Sequence, residues 1–416
     1  MAPPDSVYVQ MHKHRDILWS HHHSGSYNGR YAAIHALSQF LKKNPPDVWD
    51  ACRKAEVPSF LIRIMLDELT YNDLNYIERI FQLAAYIITT ACPMEAGREQ
   101  PISNQFLAAG ESFWEIIFSM RENFVAGCRV PTYQSFRSSF AELVAAYGLL
   151  YKTKNHYPNT LESKFARLLL YTWVRGVGYG KIDVLSIIFK HIVRSPLENS
   201  GPFCNASILE CGGPDAFAQR CKAQFEQPNL CREVLRNCSH IMITFGLSVH
   251  GNAFVSALAE NDVLRPFYGS FCRLTDRENS REDWHSFRQM PTILWLIFTK
   301  CVNARSSDSF RYIEYLIFFL SRAVMYAPRF DRLEGVDTDK WAVLCENVCR
   351  FLPPGKPHEA IHIFLVEVIQ RHWKPTADVL SGYISEGLID RKDPNLVKMI
   401  IAWKRLGSSI GLAPGR

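Results

Sequence analysis

One stretch of the chain has the residue types and spacing of a catalytic motif: His358-Glu359-Ala360-Ile361-His362. Residues four apart share a helix face, so His358 and His362 would offer two imidazoles to one Zn²⁺. Glu359 would then deprotonate a metal-bound water, the chemistry of a zinc-dependent hydrolase. A metal so used needs a third protein ligand. Glu386 is the candidate, about 24 residues beyond His362 (386 − 362) and past the break expected at Pro375.

The surroundings weigh against that chemistry. Zincins resemble this motif but carry a bulky apolar residue where Ala360 stands, and they bury the motif inside a helix. Pro353-Pro354-Gly355-Lys356-Pro357 instead puts His358 in a first turn. The downstream glycine and histidine of metzincins are replaced by Leu365 and Val368. Glu367 lies five residues after His362 and points to another side. The competing expectation is an amphipathic helix with Ile361, Phe364/Leu365 and Val368/Ile369 inward and a coincidental histidine pair. It is preferred, so no catalytic residue, metal or cofactor is assigned. The metal alternative consists of Glu359 as base with His358, His362 and Glu386 as zinc ligands.

Other candidate chemistry is thinner. His12, His14 and His21-His22-His23 sit in a polar segment, residues 1–28, expected to be a flexible tail able to hold divalent metal only loosely. The glycines of Arg175-Gly176-Val177-Gly178-Tyr179-Gly180-Lys181 lack the spacing of a phosphate loop, and Ile182 follows where Ser or Thr is needed. There is no Gly-x-Ser-x-Gly elbow, and Cys238 near His240 has no orienting context. The 12 cysteines include no Cys-x-x-Cys pair. Cys204, Cys211, Cys221, Cys231 and Cys238 therefore read as small core residues rather than a zinc finger.

Composition narrows the partners. Net charge is +6 over 416 residues, too mild and scattered to imply nucleic acid. The apolar runs Ile293–Phe298 and Tyr315–Leu320 are too short to span a bilayer. No signal segment opens the chain, so a reducing cytoplasmic or nuclear setting is expected, and the sequons at Asn205 and Asn237 read as chance.

The elements that position these residues are helices. No long segment alternates with period two, and apolar residues recur at three and four throughout. Tyr31, Ile34, Leu37 and Leu41 form one such stripe; Ile77, Ile80/Phe81, Ala84 and Ile87/Ile88 form another. Asp262-Val263-Leu264 looks like a helix start, with Asp262 as N-cap and Val263, Pro266/Phe267 and Phe271 on one face. Echoes appear at Asp183-Val184-Leu185, Glu56-Val57-Pro58-Ser59-Phe60-Leu61 and, faded, Asp378-Val379-Leu380. Their separations approach multiples of about 40 residues, the armadillo and HEAT period.

Val57-Pro58-x-Phe60-Leu61 resembles the opening of the last helix of an armadillo repeat. The fold expected is therefore all-α, a right-handed α-solenoid of irregular armadillo/HEAT-like repeats over residues 29–406. Subdivision is expected near 196–202 and 328–337, and a short tail over 407–416. In texture, including Ala55-Glu56-Val57-Pro58-x-Phe60-Leu61, the chain resembles the helical regions of fungal MYND-finger proteins, with the finger itself missing. The function implied is a non-catalytic scaffold whose grooved surface binds a protein or peptide partner, with no role at membranes or on nucleic acid.

Overall fold

The computed structural model describes residues 6–43, 47–95, 101–129, 134–153, 164–176, 197–248, 251–275, 281–303, 309–329, 338–350, 359–387 and 394–412. Among them the chain is all-α, with no strand. It divides into two compact units, Met1–Asn199 and Ser200–Arg416.

In the first unit the helices are α1 (Val7–Ser24), α2 (Tyr27–Lys43), α3 (Val48–Lys54), α4 (Val57–Leu66), α5 (Leu74–Ala91), α6 (Ile102–Ser119), α7 (Arg121–Arg129), α8 (Gln134–Thr153) and α9 (Lys164–Val174). Helix α5 is central, lying against α2, α4, α6 and α8. Its expected stripe, Ile77, Ile80, Phe81, Ala84, Ile87 and Ile88, is buried throughout. Phe81 meets Phe113 of α6 at a centroid distance of 6.0 Å and Phe136 and Phe140 of α8 at 5.9 Å each. Such offset and edge contacts favour aromatic pairs beyond the area they bury.

The second unit contains most of α10 (Leu197–Glu210), then α11 (Pro214–Phe225), α12 (Arg232–Gly246), α13 (Asn252–Glu260), α14 (Leu264–Thr275), α15 (Arg281–Asn303), α16 (Ser309–Tyr326), α17 (Thr338–Arg350), α18 (Glu359–Ser385) and α19 (Pro394–Ser408). Its core gathers Phe267, Phe271, Phe287 and Phe319; the rings of Phe267 and Phe319 stack at 5.7 Å. In both units the substantial packing of each helix is with helices no more than three places away in sequence. That near-neighbour pattern is the signature of a helical-repeat fold.

The backbone supports two of the proposed repeat echoes and alters their chemistry. Glu56 (φ 53°) and Asp262 (φ 51°) are the only non-glycine residues with positive φ among the described residues. Each directly precedes the equivalent valine, Val57 or Val263. Asp262 does not serve as an N-cap. The amide of Val263 donates to Leu258 O at 3.0 Å and that of Asp262 to Ala259 O at 3.0 Å. This is the Schellman closure of α13, which needs a left-handed residue where Asp262 stands. Val263, Phe267 and Phe271 are buried as expected, and Pro266 is half-buried. Val379 lies well inside α18, where no turn occurs, so the fourth echo is not a repeat start. Val184 lies outside the described residues.

Three further expectations are corrected. Residues 7–24 are helix, not flexible tail: Met11, Leu18 and His22 are buried as α1 packs on α2 and α3. Within 196–202, where a subdivision is expected, the boundary between the two units falls after Asn199, and the stretch is helical from Leu197 as the start of α10. Residues 359–385 form one helix through Pro375, not two. Burial of Leu365, Val368, Ile369, Trp373 and Leu380 along one side holds it across the missing N–H. Helix α19 continues to Ser408 with Gly407 buried, so the C-terminal tail starts later than 407. Of the 328–337 stretch, Pro328 and Arg329 close a 3₁₀ turn and the remainder lies outside the described residues.

Candidate functional site

Helix α18 does not bring Glu386 to the His-Glu-x-x-His motif. Glu359 is the first residue of this helix and His362 lies in its first turn, half-buried. Glu386 directly follows the same helix, exposed. At 1.5 Å per residue it stands about 36 Å along the axis from His362, far beyond a metal's reach of about 2 Å. The expectation of a separate helix folding Glu386 back was wrong because Pro375 does not end α18. His358 lies outside the described residues. Leu365, Val368 and Ile369 are buried, as expected of an amphipathic core helix.

Of the N-terminal histidines, His22 is engaged in the structure of the first unit. His22 is buried, with Nδ1 3.2 Å from Tyr76 Oη and Nε2 3.0 Å from Asp67 Oδ2. Both ring nitrogens are used, which leaves no lone pair for a metal. Burial lowers its pKa, opposed by Asp67. Among the described residues no group of three His, Cys, Asp or Glu side chains is placed to hold a metal. Cys204, Cys211, Cys221 and Cys238 are buried as expected, while Cys231 is exposed just ahead of α12. Burial pushes the Cys204 thiol up to about 12, so it is not a nucleophile near neutral pH.

What the fold assembles instead is a half-open cleft of about 750 Å³ in the first unit. Its lining combines Tyr27 at the start of α2, Tyr71 to Asp73 between α4 and α5, Leu74 and Asn75 in the first turn of α5, Met120, Asn123 and Phe124 at the α6–α7 junction, and Phe136 of α8. A 3₁₀ turn, Glu68–Asn72, forms one rim. Thr70 Oγ1 donates to Ile64 O at 2.8 Å and Tyr71 Oη to Met65 O at 2.7 Å. These hydroxyls satisfy carbonyls that the end of α4 leaves open. Asp73 then caps α5, accepting from Tyr76 N at 3.1 Å, and also accepts from Tyr31 Oη at 3.2 Å. Burial, the Tyr27 hydrogen bond and Asp73 raise the Tyr31 pKa, so its hydroxyl remains a donor.

The floor is aromatic, with the Phe124 and Phe136 rings 5.4 Å apart. Tyr27 stands 55% exposed at the mouth. Asn72, Asn75 and Asn123 are exposed, and their amides make no hydrogen bond among the described residues. Each offers two donors and an acceptor. The one carboxylate in the lining, Asp73, is committed to its cap. The cleft's chemistry is therefore amide and aromatic, suited to holding a polar chain. Sequence reasoning singled out none of these residues, because they come from four separated segments and Asn72-Asp73-Leu74-Asn75 reads only as a helix start.

No helix among the described residues is long and apolar enough to cross a membrane. No family model matches the chain, and no curated protein matches it. Among solved structures, a circular tandem repeat protein with novel repeat topology and enhanced subunit contact surfaces aligns over 97% of this chain and 97% of its own. The identity is 11% and the TM-score 0.26, a likeness too loose to carry an argument about fold or function.

Proposed function

We propose that the chain is a non-catalytic helical-repeat module that binds a peptide segment of a partner protein in the cleft of its first unit. The observation that supports this most is the trio of unengaged amides, Asn72, Asn75 and Asn123, around an aromatic floor. Carboxamides pair with the alternating N–H and C=O groups of an extended backbone, while apolar side chains take the aromatic surface. The cleft's size falls in the range of ligand sites, about 300–1,000 Å³. Within this reading the chain works in the cytoplasm or nucleus, where buried thiols such as Cys221 and Cys345 stay reduced.

Panning a random peptide display library against the intact chain tests the reading. Enriched peptides are expected to bind the wild type and to lose binding to the Asn72→Ala/Asn75→Ala/Asn123→Ala variant. No enrichment, or peptides indifferent to the triple substitution, would sink it.

A further inference from the structure

A second cleft of the first unit, of about 450 Å³, lies between α2 and α5. Each wall is one face of a helix. His35, Ser38 and Lys42 recur at three and four along α2, and Arg79, Gln82 and Tyr86 at three and four along α5. Helix α2 contains no Asp or Glu, and none lines the cleft. Two cations do, Lys42 and Arg79.

The cleft's own side chains place the two cationic heads. Lys42 Nζ stands 5.5 Å from the centroid of the Tyr86 ring. Arg79 Nη1 donates to Gln82 Oε1 at 3.4 Å. The Gln82 amide is held from behind: its Nε2 donates to Ser139 Oγ of α8 at 2.8 Å and to Glu78 Oε1 at 3.3 Å. Its oxygen is therefore the atom left for Arg79. Gln82 and Tyr86 are one turn apart on α5, about 6 Å along the axis, so the two heads sit against neighbouring positions of one wall.

Neither cation forms an ion pair among the described residues. Glu78 is buried behind the wall, where Ser135 Oγ also donates to it at 2.9 Å, and it offsets part of the Arg79 charge through the Gln82 amide. The C-terminus of α2 offsets about half a charge at Lys42. The cleft still carries an excess of positive charge. It also carries spare neutral groups. Serine and threonine inside a helix commonly donate to the carbonyl four residues back, as Thr89 does to Ala85 O at 2.8 Å and Ser139 to Ser135 O at 3.0 Å. Ser38 makes no such bond among the described residues, and the Gln39 carboxamide beside it makes none either.

We propose that this cleft binds a small phosphomonoester carried on a hydroxylated carbon chain. A phosphate brings about two negative charges and three acceptor oxygens, which suits two cationic heads with no carboxylate between them. Ser38 and Gln39 then serve the ligand's hydroxyl groups. The volume lies towards the lower end of the range of small-molecule sites, about 300–1,000 Å³. This cleft shares no lining residue with the asparagine cleft and does not depend on it.

The test is isothermal titration of glycerol 3-phosphate, inorganic phosphate and glycerol into the full chain. Glycerol 3-phosphate is expected to bind saturably, inorganic phosphate more weakly, and glycerol not at all. Lys42→Gln and Arg79→Gln, both at exposed positions, are each expected to weaken glycerol 3-phosphate about tenfold. Ser38→Ala, at a hydroxyl the fold does not use, is expected to weaken glycerol 3-phosphate while leaving inorganic phosphate unchanged. The asparagine triple variant is expected to bind like the wild type. Four results would overturn the assignment. They are no saturable binding of glycerol 3-phosphate, wild-type affinity in both glutamine variants, inorganic phosphate binding as tightly as glycerol 3-phosphate, and tighter binding of a phosphoserine peptide or of phosphatidic acid vesicles. Should a glutamine variant lose its helical circular dichroism, Ser38→Ala decides the matter.

Discussion

His372 is a single residue on which burial can be read directly. Desolvation on α18, then the charges of Arg371 and Arg322, lower its pKa from 6.5 to about 4. The folded state binds this proton less readily than the unfolded chain. Its contribution is therefore fully present above pH 6.5 and is lost as pH falls from 6.5 towards about 4. An NMR titration should place the His372 ring near 4, and a midpoint near 6.5 would contradict its burial. Gly407 is a second case. A Cβ built there would enter the Trp373 indole, so the space between α18 and α19 admits no side chain. Gly407→Ala is expected to cost about 1–3 kcal/mol by overpacking, read from denaturant unfolding. An unchanged midpoint would show that the ring gives way freely.

At the scale of elements, α1 and the two left-handed turns make the sharpest claims. Leu18 is fully buried, so Leu18→Ala should destabilise by about 2–4 kcal/mol. A flexible tail would show no change. Glu56 occupies a left-handed turn that glycine adopts without steric cost. Glu56→Gly should therefore stabilise by about 0.5 kcal/mol, the relief of strain exceeding the entropy glycine adds to the unfolded chain; Glu56→Val should destabilise. The stripes of α2 and α5 were legible in the sequence because their apolar residues recur at three and four over several turns. Helix α1 was not: its buried face is Met11, Leu18 and His22, widely spaced and including a histidine that looks solvated until Tyr76 and Asp67 meet it. Asp262 was legible as a helix boundary but not as the close of the preceding helix, because the side chain that favours an N-cap also tolerates a left-handed turn. The cleft could not be read at all, since its four segments meet only in three dimensions.

For the whole molecule, near-neighbour packing predicts stability built from local interfaces. Each unit has its own aromatic core. A fragment of residues 1–199 is therefore expected to be helical and to melt cooperatively, and a featureless melt would show that its core does not suffice. The biological claim rests on the cleft in that unit, and one measurement reaches it most directly. Isothermal titration of a display-selected peptide into the intact chain and into the Asn72→Ala/Asn75→Ala/Asn123→Ala variant compares the two surfaces atom for atom. The account predicts saturable binding to the wild type, weakened about tenfold or more when the three amides are removed. Equal binding by both proteins, with helical content unchanged, would contradict it.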